Sequence, residues 1–318
     1  CIPDGGGTVL FVSPPHDREG RMLPVSVTIA LPLDGGGRGR GGNPIILKKE
    51  RKQKMEFKKN SLREKIRRGE TALGTALYSF SPALIELAGY TGLDFCRIDN
   101  EHAWRQDESA ESMIRGALLT GICPLLRVDR DNPYLVRKAL EAGAGGVIVP
   151  HVHDQKDAEE IVQAAKFPPF GKRGYGGLCL SGQWGVNGGT EWMEWSNAET
   201  LVIPMIEDIS TIPHLDAILA TEGVDAVLFG PADFSISAGV PLQTGHEKVM
   251  SGLRKAVEAA DKHGKFVIYP GAGFPQWETV HKAKELGVKA IELGHDVTIL
   301  RAVWAKTIQA LKTGAAGA

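Results

Sequence analysis

The stretch Val224-Asp225-Ala226-Val227-Leu228-Phe229-Gly230-Pro231-Ala232-Asp233-Phe234-Ser235 decides how this chain folds. A short apolar run, Ala226 to Phe229, meets Gly-Pro, which breaks it, and the carboxylate of Asp233 follows at once. An apolar run bounded in this way reads as a buried strand. A second run, Leu201 to Ile206, ends in the carboxylate of Glu207. Acids so far apart in sequence meet only if the two runs are neighbouring parallel strands, roughly 4.8 Å apart, with a helix between them. Both carboxylates then leave from carboxyl ends of strands. That arrangement suits a metal ion, and with it an enzyme.

Working outward, the same unit recurs from residue 61 onward. Strands are predicted over 72–78, 94–98, 123–128, 146–152, 201–207, 225–229, 266–269 and 290–293. Amphipathic stretches of helical length follow, among them 107–119, 133–142, 157–166, 247–263, 276–286 and 298–311. Eight strand–helix units over about 250 residues match a (β/α)8 TIM barrel. The alternative is a doubly wound open sheet, but the first strand–helix turn lacks its GxGxxG fingerprint. Chemistry on a TIM barrel gathers at the carboxyl ends of the strands. In this chain those ends carry Asp99 and His102, Arg127, Pro150-His151, Glu207, Asp233, Tyr269-Pro270-Gly271 and Gly294-His295-Asp296. The amino ends carry Lys265, Lys289 and turn glycines. Titratable groups thus converge on one rim.

Composition narrows the class. The 318 residues are 42% hydrophobic and 24% charged, with a net charge of −1. This is the make-up of a globular protein, with no electrostatic reason to expect nucleic acid or a membrane surface as partner. No apolar run approaches the roughly 18 residues of a membrane span. The cysteines Cys1, Cys96, Cys123 and Cys179 lack CxxC spacing, so neither a zinc knuckle nor a disulfide framework is indicated, and a reducing, cytoplasmic setting is expected. Residues 1–54, with their Gly/Arg tract and the basic run Lys48 to Lys54, are expected to be a disordered or extraneous extension without function. Residues 55–318 are expected to form a single catalytic domain.

Each candidate has a plainer alternative. Glu207 and Asp233 could be helix N-caps, and Asp208 could cap the next helix. Two carboxylates on neighbouring strand ends favour a hard divalent ion: Mg²⁺ first, Mn²⁺ or Co²⁺ as alternatives. Arg127 closes the apolar run Leu125-Leu126-Arg127-Val128 and must be paired. Its partner is either Asp129 or Asp131 in a structural salt bridge, or a substrate oxygen in a bidentate clamp. His102, in Ile98-Asp99-Asn100-Glu101-His102, has the neutral-range pKa of an acid/base group and acidic neighbours to orient it. No strand end supplies the lysine an imine mechanism requires, since Lys172 lies in a loop. Gly271-Ala272-Gly273 could cradle a phosphate but reads more simply as a turn. The Gly- and Trp-rich connection of about thirty residues before the fifth strand reads as a lid or a subunit contact.

These segments, in order, are Ile98 to Ala103, Leu126-Arg127-Val128 with Asn132-Pro133, Gly143-Ala144 to Val149-Pro150, Phe167-Pro168-Pro169 with Arg173-Gly174, Ile206-Glu207, and Gly230 to Ser235. From about Leu62 to Leu311 the chain resembles the HpcH/HpaI family of metal-dependent, class II pyruvate aldolases. The resemblance implies a TIM barrel whose C-terminal helix is exchanged between subunits of a trimer or hexamer. It implies Glu207 and Asp233 as metal ligands and Arg127 as the group on the pyruvate enolate oxygen. It makes His102 the proton carrier, oriented by an acid, with Asp99 beside it and Glu141 at the matching position where Asp is usual. The amides around Gly230, Ala232 and Asp233 would hold the pyruvate carboxylate. Met205 stands where many members have Gln, which bears on the substrate. The expected activity joins or separates pyruvate and an aldehyde through a 4-hydroxy-2-oxo acid. The alternatives are oxaloacetate decarboxylation or a macrophomate-synthase-like enolate reaction, a CoA-thioester lyase, and an inactive ligand-binding barrel.

Overall fold

The structure, a computed structural model, describes residues 56–102, 107–270 and 277–313. The extension expected over 1–54 and the Gly271-Ala272-Gly273 turn lie outside the described residues. In chain order the elements are α1 (Ser61–Arg67), β1 (Ala72–Leu77), α2 (Pro82–Tyr90), β2 (Phe95–Asp99), α3 (Asp107–Thr120), β3 (Cys123–Arg127), α4 (Pro133–Glu141), β4 (Gly146–Val149), α5 (Gln155–Ala165), α6 (Thr190–Glu199), β5 (Leu201–Ile206), α7 (Leu215–Ala220), β6 (Ala226–Phe229), α8 (Pro231–Ser237), α9 (Glu247–Lys262), β7 (Phe266–Pro270), α10 (Trp277–Glu285), β8 (Ala290–His295) and α11 (Asp296–Thr313). All strand pairs are parallel, and β8 closes on β1. The chain is a TIM barrel. All eight predicted strands are present, and each ends within three residues of the expected position.

The period-2 alternation of each strand separates two cores. Outward residues such as Ile98, Leu126, Val147, Val202 and Val227 pack under the helices. Inward residues fill the lumen: Ala72, Phe95, Cys123, Leu125, Ile148, Leu201, Ile203, Ala226, Leu228, Phe266, Ile268 and Ala290. Helix α1 stoppers the amino end. Its cap residue Asn60 accepts from the Arg63 N–H at 3.0 Å and donates to the Gly145 carbonyl at 2.8 Å, and Leu62 enters the lumen fully buried. Truncating Leu62 to Ala would cost about 2–5 kcal/mol, the usual range for a buried leucine. Lys65 and Arg63 close the same end on Asp94 (2.7 Å) and Asp225 (2.8 Å).

The long connection before β5 is not all loop. Within it, α6 sends Trp192 into the core, edge-on to Phe167 at 5.2 Å. Asp208 does cap the turn after β5, accepting from Ser210 N–H at 2.7 Å. Its neighbour Glu207 is left free for other work.

Candidate active site

Register brings the two acid-bearing strands together. Ile206 pairs with Phe229, and the Gly230 N–H donates to the Ile206 carbonyl at 2.8 Å, so Glu207 lies against Gly230. A Cβ at position 230 would come within 2.6 Å of Met205 Cε and 3.0 Å of Glu207 Cβ, so a larger residue would push the Met205 methyl aside and crowd Glu207. Glu207 is 7% exposed. Its Oε1 accepts from the His151 backbone N–H at 2.7 Å and lies 3.1 Å from His151 Nδ1. Its Oε2 is directed toward Gly230, where a Cβ would stand 3.5 Å away. Asp233 occupies the first turn of α8, exposed.

Burial pushes the Glu207 carboxyl above its usual range. The His151 N–H and ring oppose that push, while the carboxylates of Glu101 and Asp233 add to it. Among the described residues no three His, Cys, Asp or Glu side chains form a group able to hold a metal by themselves. A hard divalent ion that keeps water and substrate among its ligands does fit the donors present. Glu207 Oε2 and Asp233 would hold it, and its charge would relieve the crowding of carboxylates around Glu207.

Arg127, 3% exposed, ends β3, where register sets it beside Asp99 of β2. Its Nε donates to Asp99 Oδ2 at 2.8 Å, its Nη2 donates to the same oxygen, and its Nη1 lies 2.7 Å from Glu101 Oε2. The structural partners expected from sequence, Asp129 and Asp131, are not the ones it uses. They lie beyond the strand end, where Asp129 accepts from the Asp131 N–H at 3.1 Å. Two of Arg127's contacts are weak: Nη2 to the Tyr78 hydroxyl at 3.4 Å and Nη1 to the Met205 sulfur at 3.8 Å. Those two directions are where a substrate oxygen can compete.

Asp99 is fully buried and accepts through Oδ1 from the backbone N–H groups of Glu101 (3.3 Å) and His102 (3.2 Å). Burial alone would raise its carboxyl, but Arg127 and Arg97 hold it below the usual range. The side chain of His102 is exposed, with Nε2 3.8 Å from Glu101 Oε2. Glu141, at the end of α4, lies against Gly176 and 3.9 Å from Arg137, and its carbonyl accepts from the Ser181 N–H. Glu101 is thus an acid beside the His102 ring.

The sequence does not single out Arg97 and Glu292, and it places His151 on the rim without a role. Arg97 and Glu292 form a bidentate pair in the lumen, at 2.8 and 2.9 Å. Each is a charge inside an apolar strand, the same signal that picked out Arg127. His151 sits between Glu101 Oε1 (3.3 Å) and Glu207. Its φ of +54° is uncommon outside glycine, and nothing in a single sequence announces it. The lysine that is buried among the described residues, Lys166, lies at the opposite end. It donates to the carbonyls of Asn197 (2.9 Å) and Thr200 (2.6 Å), far from any imine chemistry.

A lumen that is apolar below and densely charged at its carboxyl rim defines a barrel enzyme. Residues 74–302 match the HpcH/HpaI aldolase/citrate lyase family; the chain belongs to that family and is a carbon–carbon lyase. It is 32% identical over 207 residues to a 2-keto-3-deoxy-L-rhamnonate aldolase of Klebsiella pneumoniae, covering 65% of this chain and 77% of that one. It is 29% identical over 248 residues to a hydroxypyruvate/pyruvate aldolase of Pseudomonas aeruginosa, covering 77% and 90% respectively. The crystal structure of a citrate synthase matches 80% of this chain and 98% of its own with a TM-score of 0.70 at 32% identity.

Proposed function

We propose that the chain is a divalent-metal-dependent aldolase acting on a 4-hydroxy-2-oxo acid, which it cleaves to, or forms from, pyruvate and an aldehyde. One observation carries the reading: Glu207 and the weakly engaged donors of Arg127 lie on adjoining parts of one rim, with Met205 reaching Arg127 Nη1 on one side and Gly230, next to Glu207, on the other. A ketone oxygen there would meet an electrophile on one side and a guanidinium on the other. The aldolase relatives, one of them named for pyruvate, support the same class.

Glu207 and Asp233 would hold a Mg²⁺-type ion, which when bound supplies Lewis-acid polarisation of the 2-oxo group. Arg127, fixed by Asp99 and Glu101, turns its two loosely held N–H groups toward the negative charge that develops on the enolate oxygen. Exposed at the rim, His102 takes the proton of the 4-hydroxyl as the C3–C4 bond breaks and the aldehyde leaves. The bond's electron pair stays on the enolate, which returns to pyruvate on protonation at C3. Glu101 orients the His102 ring; the family pattern adds Glu141 as a second acid for that role. The amides around Gly230, Ala232 and Asp233, at the start of α8, receive the pyruvate carboxylate.

The test follows exchange of pyruvate methyl protons into D2O by NMR, with Mg²⁺, Mn²⁺ or Co²⁺ and with chelator, and then adds a panel of aldehydes. Metal-dependent exchange and a new aldol product are expected. Exchange that is absent, or indifferent to chelator, rejects the reading. Release of CO2 from oxaloacetate through the same enolate, without any aldol product, would place the chain with the decarboxylases instead.

A further inference from the structure

We propose that the Arg97–Glu292 pair is a positioning device that fixes the Arg127 guanidinium by holding Asp99 from below. This rests on Arg127 acting at the enolate, as proposed above. The contacts form a chain across the lumen from β8 through β2 to β3. Glu292 takes Arg97 at two points, Nε to Oε1 at 2.8 Å and Nη2 to Oε2 at 2.9 Å. The remaining Nη1 of Arg97 reaches Asp99 Oδ2 at 2.7 Å, and that same oxygen accepts both Nε and Nη2 of Arg127. All four residues are at most 3% exposed.

Asp99 is thus shared by two guanidiniums, and its geometry depends on which of them is free to move. Oδ1 is already held by two backbone N–H groups. Oδ2 is the only oxygen left to the arginines. With Glu292 in place, the fork of Arg97 is spent, and it offers Asp99 a single N–H. Without Glu292, Arg97 could turn its fork on Asp99 and compete with Arg127 for the same carboxylate. Register makes the arrangement feasible. On β1, between β8 and β2, Gly74 stands opposite Glu292 and Ala76 opposite Arg97, so no bulky side chain on that strand separates the pair. Tyr78 covers it, with the Arg97 guanidinium 6.0 Å from the ring centroid and the Tyr78 hydroxyl on Arg127.

A purely structural pair and a positioning pair respond differently to joint replacement. Exchanging a buried ion pair for apolar residues of similar volume is commonly neutral or stabilising. The Arg97→Met/Glu292→Leu double variant is therefore expected to fold and to melt no lower than wild type. Pyruvate proton exchange is expected to fall about 10²-fold in kcat, the scale of a misplaced catalytic group, with KM for pyruvate little changed. The Arg127 Nε–H, resolved by ¹⁵N NMR, should lose its protection from solvent exchange. Should the double variant fail to fold, Arg97→Lys keeps the charge without the fork, and the same loss of kcat and of Nε–H protection is expected. A folded variant of either kind with wild-type kinetics and an Nε–H as protected as in wild type overturns the proposal. Failure of the aldolase reading would show separately, as a wild type inert in proton exchange. The Nε–H measurement decides the positioning claim even then.

Discussion

Glu207 is held in a position that would cost the protein stability in the absence of a metal ion. Burial and the carboxylates of Glu101 and Asp233 raise its carboxyl, while only the His151 N–H and ring oppose. Glu207→Gln keeps an oxygen for the His151 N–H and removes one of the crowded charges. The metal-free variant is expected to melt at or above wild type, by up to about 1–2 kcal/mol for relief of a buried like-charge cluster. Metal should no longer raise its melting temperature, because stabilisation by a ligand requires that the ligand bind. Thermal melts with and without Mg²⁺ check both halves. A second substitution separates the two rim histidines. His102→Gln should lower kcat about 10²–10⁴-fold, the range of a lost acid/base group, with metal affinity unchanged. His151→Gln should act mainly on metal affinity, since its ring touches Glu207. Kinetics at saturating metal beside a metal titration would tell them apart. Legibility at this scale followed a simple physical rule. Charges ending apolar runs, such as Arg127, Glu207 and Asp233, stood out because burial demands a reason. Arg97 and Glu292 obey the same rule but sit within their runs, and they were passed over. The partners of Arg127 were illegible because they depend on strand register, which links β2 to β3 across 28 residues.

The strands were legible because their apolar runs are short, regularly spaced and ended by Gly, Pro or acids. Helices α3, α4, α5, α9, α10 and α11 emerged from their amphipathic period, within a few residues at each end. Helix α6 did not, for its Trp- and Gly-rich surroundings resemble a loop, and burial of Trp192 is what commits it. Cys96 and Cys123 fall inside the runs 94–98 and 123–128 predicted as strands. Both are buried, with Cys123 4% exposed at the foot of β3. Burial pushes its thiol up to about 12, against smaller opposing effects of its contacts with Leu62 and Asn60. An unfolded cysteine ionises near 8.5. The folded chain therefore keeps its proton where the unfolded chain loses it, so the stabilisation is complete below about pH 8.5 and is lost as pH rises toward 12. Between pH 7 and 10 this one group should lower the unfolding free energy by about 1–2 kcal/mol. Cys123→Ala removes that part of the alkaline slope, whatever it does to stability at pH 7. Denaturant titrations of both proteins at the two pH values make the comparison, and equal slopes would show that the thiol ionises freely in the fold. Iodoacetamide at neutral pH is expected to label Cys179, which is partly exposed, ahead of Cys96 and Cys123.

At the scale of the molecule, the helix that follows β8 does not behave like the others around the barrel. Among the residues of α11, Asp296 alone is buried; it accepts from the N–H groups of Tyr78 (3.0 Å) and Ser79 (2.9 Å) and so ties the helix start to the end of β1. Past that anchor, Leu300, Trp304, Ile308 and Leu311 recur at helical spacing, and all four are exposed, Trp304 at 63% and Leu311 at 80%. An apolar stripe of this length on one helix face is costly in water and marks an interaction surface. The barrel offers a counterpart, since Leu87 and Tyr90 of α2 and Leu118 and Leu119 of α3 are exposed as well. The exchange of C-terminal helices that the family resemblance implies would place one protomer's stripe on such a surface of another. A trimer or hexamer in solution is the expected state. Trp304→Glu adds a charge at a position that is mostly solvent-exposed in the isolated protomer, so the barrel should keep its secondary structure and its stability to within about 0.5 kcal/mol, as for ordinary surface substitutions. In an assembly the same change buries an unpaired carboxylate and should break it apart. Light scattering on the eluting protein, wild type against Trp304→Glu at tens of micromolar, reads the outcome directly. A wild type that elutes as a monomer, or a variant that assembles unchanged, would leave the stripe without the role assigned to it.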